Sequence, residues 1–286
     1  MDPGLKGIGS IVEKLVKGKK RTRSPLLTDS LGLQEREVIS LVGAGGKTTL
    51  MFRLARELLL AGRKVVTTTT TKILEPTPEE TPCLIVDQDE DKVKTFVRTH
   101  LEQNHHITVA SERLGSGKLK GVSPNMIADL WDLHLIDVLL IEADGAAGRP
   151  VKAPREEEPV ISPGTTLIVA LLGMDGVDAE LNEKNVFQPE RVSKLTGVRL
   201  GGKMTAESLA VVMTHSEGIF KGAPASSRVV CFLNKADRIG GIDKGREVAK
   251  RILEKNHPQI ERVVLGQLKK DPPVLEILFP ESKEGS

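Results

Sequence analysis

Glu37-Val38-Ile39-Ser40-Leu41-Val42-Gly43-Ala44-Gly45-Gly46-Lys47-Thr48-Thr49-Leu50-Met51-Phe52-Arg53-Leu54-Ala55-Arg56-Glu57-Leu58-Leu59-Leu60 is the stretch on which the fold turns. Val38 to Val42 is apolar and partly β-branched, and it is short enough for a buried strand. Leu50 to Leu60 carries apolar residues at helical spacing, and Gly62 stops it. Between them lies a glycine-rich turn ending in Gly46-Lys47-Thr48-Thr49. A strand, such a turn and an amphipathic helix make a cradle for phosphate. Glycines let backbone N–H groups approach phosphate oxygens, and the helix N-terminus adds positive potential. Lys47 bridges the terminal phosphates and Thr48 offers its hydroxyl to Mg²⁺. The dinucleotide fingerprint fails here: Gly43 and Gly45 supply its first two glycines, but the third falls on Thr48.

Working outward, Lys64 to Thr69, Leu84 to Val86, Ile107 to Ala110, Val138 to Ile141, Leu167 to Leu172, Val229 to Leu233 and Val263 to Leu265 read as strands. Helices are predicted over Glu90–Leu101, Pro124–Leu133, Pro189–Leu195, Ala206–Met213 and Lys244–Lys255. Continuous apolar strands alternating with amphipathic helices predict an α/β, P-loop NTPase-like fold, a mostly parallel sheet with helices on both faces. Residues 1–25 read as a basic, flexible tail, and residues 26–286 as a single P-loop domain. The Pro- and Glu-rich stretch from Pro150 to Pro163 reads as a long surface loop.

Composition narrows the classes. With 41 Lys+Arg against 39 Asp+Glu, the chain is nearly neutral, which gives no reason to expect nucleic acid or a membrane surface as partner. No run approaches the ~20 apolar residues of a membrane span, and the N-terminus lacks a signal core. Cys83 and Cys231 stand alone in apolar stretches, as buried free thiols in a reducing, cytoplasmic setting. His105 and His106 are neighbours that point to opposite faces of a strand, a poor metal clamp.

Three further stretches carry chemistry. Val138 to Ile141 ends in Glu142-Ala143-Asp144-Gly145, the position at which phosphate-loop proteins keep a carboxylate for Mg²⁺. Glu142 is the metal-side candidate, and Asp144, two residues on and on the same face, is the candidate for placing an attacking water. The run Thr67 to Thr71, then Lys72, lies at the carboxyl end of the neighbouring strand, where open α/β sheets bind ligands. Thr70 is expected near the γ-phosphate or Mg²⁺, with Lys72 countering phosphate charge. After the strand Val229–Leu233 comes Asn234-Lys235-Ala236-Asp237, the guanine-reading Asn-Lys-x-Asp pattern. An acceptor-only carboxylate at Asp237 suits the ring N–H and amine of guanine, which adenine does not present. Asn234 would hold the loop, and the stem of Lys235 would cover the ring. The expected ligand is GTP or ATP with Mg²⁺, GTP favoured.

The eight-residue phosphate loop would want glycine at Leu41. The compact form here, Gly43 to Thr49, resembles that of the ATP-dependent peptidoglycan-precursor ligases and, more loosely, the loops of GTP-hydrolysing metallochaperones. Together with Thr67–Lys72, Glu142–Gly145, Lys152-Ala153-Pro154, Glu158-Pro159-Val160-Ile161 and Leu233–Asp237, in that order, it resembles the YqeC-like selenium-dependent hydroxylase accessory proteins, also described as selenium cofactor biosynthesis proteins. That resemblance, covering about residues 30 to 240, implies a role in maturing molybdenum hydroxylases that carry selenium. Glu142 after its strand also resembles the nickel-inserting GTPases of hydrogenase and urease maturation. The expectation is a slow GTPase acting as a maturation factor, with a client hydroxylase or its cofactor as partner and a homodimer across the nucleotide face. The rival expectation is an ATP-dependent ligase or kinase acting on a small anionic substrate bound by Lys72, Arg149 and Lys152.

Overall fold

In a computed structural model, residues 25–238 and 240–281 are described; the basic segment predicted over residues 1–25 lies outside them except for Pro25. A nine-stranded sheet forms the centre. Its strands are β1 (Glu37–Gly43), β2 (Val65–Thr69), β4 (Leu84–Val86), β5 (His106–Ala110), β8 (Val138–Glu142), β10 (Leu167–Gly173), β12 (Arg228–Asn234), β13 (Ile260–Gly266) and β14 (Val274–Leu278). They run in the order β14-β13-β12-β10-β1-β8-β2-β5-β4, and every pairing is parallel except β13 with β14. All seven residues of β1 and of β10 are buried, which is why β10 reads as an unbroken apolar run and β1 as one broken only by Glu37 and Ser40.

Helices cover both faces. Alternation along β1 sends Ile39 and Leu41 to one side, where they meet Leu50, Leu54 and Leu58 of α2 (Lys47–Leu60) and Leu27 and Leu31 of α1 (Leu27–Leu31). On the other side Val42 packs into a cluster with Val192 of α5 (Pro189–Thr196), Leu209 of α6 (Ala206–Thr214) and Val248 of α7 (Gly241–Glu254). Val38 reaches Val97 of α3 (Glu90–Asn104) and Ile127 of α4 (Pro124–Trp131). The fold is therefore the P-loop α/β class expected from the sequence.

Three pieces differ from the sequence reading. A small antiparallel sheet, ordered β3 (Lys72–Leu74), β7 (Lys118–Lys120), β6 (Glu112–Leu114), stands beside the main one. Its strands are three residues long, too short to show a period. The edge strand β14 follows Asp271-Pro272-Pro273 directly and escaped notice in a mixed run. The stretch Pro150–Pro163 is not a plain surface loop. Val151–Lys152 forms β9, paired with β11 (Val186–Phe187), and Val151, Lys152, Ala153 and Pro154 are all buried.

Candidate functional site

The glycine-rich turn sits at the carboxyl end of β1, between β8 and β10, where the chain leaves the central strands in opposite directions and a crevice opens. Its glycines are required. Gly43, Gly45 and Gly46 have φ of 94°, 84° and 140°, angles at which a side chain is strained. A Cβ on Gly45 would collide with the backbone of Gly173, and one on Gly46 would lie 2.5 Å from Asn234 Nδ2.

The loop divides into two halves by what its amides do. The first three are spent on the scaffold: Gly43 N–H donates to Asp144 Oδ2 (3.0 Å), Ala44 N–H to the Leu171 carbonyl (2.9 Å) and Gly45 N–H to the Arg149 carbonyl (3.1 Å). The first helical bond of α2 is made by Leu50 N–H to the Gly46 carbonyl. The amides of Lys47, Thr48 and Thr49 therefore point out of the helix start without helical partners, which is the arrangement that binds an anion.

A buried charge cluster lies beneath. Lys47 Nζ donates to the Gly43 carbonyl (2.6 Å) and stands 3.0 Å from Asp144 and 3.8 Å from Glu142. Burial alone would lower the Lys47 pKa, but Asp144 and Glu142 outweigh it and the ammonium is held above its ordinary value. Burial raises Glu142, countered in part by Lys47 and by the Thr48 hydroxyl, which donates to its Oε2 at 2.7 Å. Asp144 is fully enclosed and also meets Lys152 Nζ at 2.9 Å. Lys152, itself 0% exposed, donates to the Gly145 carbonyl (2.7 Å) and to Glu158 Oε2 (2.9 Å). Despite its burial, Glu158 is held below the usual carboxylate range by Lys152.

Asn234 ties the far side of the loop together. Its Nδ2 donates to the Gly45 carbonyl (2.8 Å), and its Oδ1 accepts from Leu268 N–H (3.0 Å) in the turn after β13. Lys235, at φ 66°, pairs with Asp175 at 2.7 Å. Asp237 is exposed at the rim and pairs with Lys270 at 2.6 Å. On the other flank, Thr70 N–H donates to the Glu142 carbonyl (3.1 Å) and Lys72 is exposed. Gly45 to Thr49, Thr70, Lys72, Glu142, Asn234, Lys235 and Asp237 all line one cleft of about 1640 Å³. Gly43 and Ala44 lie behind it, as does Asp144.

The matches to known proteins identify the family. The YqeC protein family profile matches residues 39–190. The uncharacterized protein YqeC of Escherichia coli (strain K12) is 31% identical over 252 residues, which cover 88% of this chain and 95% of that one. The chain belongs to the YqeC family. Among solved structures it is similar to FtsY from Mycoplasma mycoides (14% identity, TM-score 0.38, 87% of this chain), spanning 65% of that chain. It is also similar to the hydrogenase maturation factor HypB from Archaeoglobus fulgidus, with 14% identity, TM-score 0.36, and coverage of 84% of this chain and 86% of that one.

In this YqeC chain the donor set fits a triphosphate and Mg²⁺. The positive φ cradle admits no Cβ, three amides open from a helix start, and Thr48 and Glu142 put hard oxygens side by side, the donors Mg²⁺ takes. The sequence reading gave Lys152 to a small anionic substrate and quoted Glu158 only within a motif, whereas the structure pairs the two with each other and Lys152 with Asp144. It passed over Leu268 and Lys270. Those two carry no local signal, because only the return of β13 beside β12 brings them to Asn234 and Asp237.

Proposed function

We propose that this chain binds a nucleoside triphosphate with Mg²⁺, guanine preferred, and works as a maturation factor for a selenium-dependent molybdenum hydroxylase or its cofactor. The observation that carries the nucleotide reading is the paired contact of Asn234 with Gly45 and with Leu268, which joins the phosphate loop to the turns bearing Asp237 and Lys270. Lys47 and the amides of Gly46 to Thr49 would hold the terminal phosphates, Thr48 and Glu142 the Mg²⁺, Thr70 and Lys72 the γ-phosphate flank, and Asp237 the base. When bound, Mg²⁺ neutralises charge on the phosphate oxygens. Asp144 was expected to place a water; enclosed between Lys47, Lys152 and Gly43 N–H, we assign it instead to setting the loop and the Lys47 ammonium.

The selenium context rests on the family resemblance of the ordered motifs. The rival, transfer to a small anionic acceptor, draws support from the size of the cleft and from Lys72 and Arg149 on its wall. Lys152 drops out of that reading, since its ammonium is buried and taken. Calorimetry with GTP and ATP, each with Mg²⁺, on wild type and Asp237→Asn tests the assignment. GTP binding that is lost in the variant supports it; ATP binding equal to or better than GTP and untouched by the change overturns it.

A further inference from the structure

We propose that the cleft holds a second site, for a small polyanionic molecule, on the face of the β3-β7-β6 sheet that looks toward the phosphate loop. It takes its orientation from the nucleotide reading above and shares Lys72 with it, while Lys118 and Lys120 belong to the second site alone. The sheet is fastened to the nucleotide site at its root. Gly121 N–H donates to the Thr71 carbonyl (2.8 Å) and Val122 N–H to the Thr69 carbonyl (2.9 Å), while the Thr69 hydroxyl donates to the Glu142 carbonyl (2.7 Å). A Cβ on Gly121 would run into the Thr69 carbonyl, so the approach is close by construction.

Pairing decides which residues share the outer face. Ile73 lies opposite Leu119 and both are buried; Lys72 lies opposite Lys120, and Leu74 opposite Lys118, and all four are exposed. Like charges directly opposite on an antiparallel pair cost stability; Glu112, opposite Lys120 on the far strand, offsets part of that and leaves Lys72 without a carboxylate. A bound anion between Lys72 and Lys120 would offset the rest. Among the described residues Lys72, Lys118, Arg149 and Arg155 have no carboxylate partner, and Lys120 has only Glu112 at 3.7 Å. Asp87, Glu90 and Glu157 also border the cleft, but Asp87 faces Lys92 at 4.0 Å, and Glu158 is neutralised by Lys152. The balance on this wall is positive.

Room is available. Single-ligand pockets run to about 300–1,000 Å³, against about 1640 Å³ here. Exposed Leu74, directly opposite Lys118, adds an apolar contact, which suits an organic phosphate or carboxylate better than a bare ion.

The test uses the full chain loaded with Mg²⁺ and a non-hydrolysable GTP analogue, titrated calorimetrically with 3-phosphoglycerate, with glycerol as the uncharged control. Saturable one-to-one binding is expected, weakened about tenfold in Lys118→Ala/Lys120→Ala, with nucleotide affinity and Tm as in wild type. No saturable binding, or equal binding by the double variant, overturns the proposal. The nucleotide titration reports separately on the reading above. Should the analogue not bind, the probe is titrated into Lys47→Ala protein: retention supports the second site, and loss assigns the anion to the phosphate loop and overturns it.

Discussion

The ammonium of Lys152 and the carboxylate of Asp144 meet at 2.9 Å with neither side chain reaching solvent. This pair joins the β9 segment to the phosphate loop, because the same Asp144 oxygen accepts from Gly43 N–H.

Removing Lys152 takes the buried cation from Glu158 and one of two from Asp144, which keeps Lys47. Breaking a buried pair from one side costs about 3–5 kcal/mol. Lys152→Met is expected to lose that much in urea unfolding, whereas Lys118→Ala, on an exposed face, is expected within about 0.5 kcal/mol of wild type.

Thr48 shares its hydroxyl with Glu142 and would share it with Mg²⁺. Thr48→Ala removes one ligand oxygen and one hydrogen bond to a charged group, worth about 1.5–3 kcal/mol. Nucleotide titrations with and without Mg²⁺ are expected to differ about tenfold or more in wild type and to converge in the variant. A variant that keeps the full Mg²⁺ effect would remove Thr48 from the metal site.

To read a base as proposed, Asp237 would have to give up Lys270. That ion pair is exposed, and exposed pairs are worth about 0–1 kcal/mol, so the exchange is cheap. Lys270→Ala is expected to change GTP affinity by less than about fivefold, in contrast to a loss of about tenfold or more for Asp237→Asn. Equal effects from the two would place Lys270, not Asp237, at the base.

Gly45 and Gly115 give opposite outcomes on substitution by alanine. At Gly45 the left-handed φ of 84° and the nearby Gly173 backbone both oppose a side chain; Gly115 has open space around it and no left-handed φ. Gly45→Ala is expected to abolish nucleotide binding and lower stability by more than about 1 kcal/mol, and Gly115→Ala to leave both within about 0.5 kcal/mol. Thermal melts and nucleotide titration decide it.

His106 is buried against Thr67, and burial pushes its pKa down to about 4. In the unfolded chain it titrates near 6.5. A base whose folded pKa is depressed favours the folded state above the unfolded value and withdraws that support as pH falls. The loss runs from about pH 6.5 to about pH 4 and reaches at most about 3 kcal/mol. His106→Gln is expected to flatten the stability profile in that window; an unchanged slope would show that other groups set it.

The fold class was legible because its signals are local. Val138–Ile141 and Leu167–Leu172 are apolar along their whole length, and Val38–Val42 but for Ser40, because helices cover both faces of each strand. The turn from Gly43 to Thr49 announces its backbone through glycines that no other residue replaces. Glu142 and Asp237 stand one residue and four residues past their apolar runs, where strands end and ligands bind. The small lysine sheet left no trace, since three-residue strands have no period to read.

What the tertiary structure decided is the division of labour within those motifs. Gly43 finds Asp144 across 101 residues and Asn234 finds Gly45 across 189. Spacing along the chain says nothing about such meetings. The sequence by itself put Asp144 on the same strand face as Glu142, but only the packing of β9 showed that one of these acids faces the cleft and the other is enclosed by Lys47 and Lys152. Burial and pairing are properties of neighbours in space, and these neighbours come from segments that the chain keeps far apart.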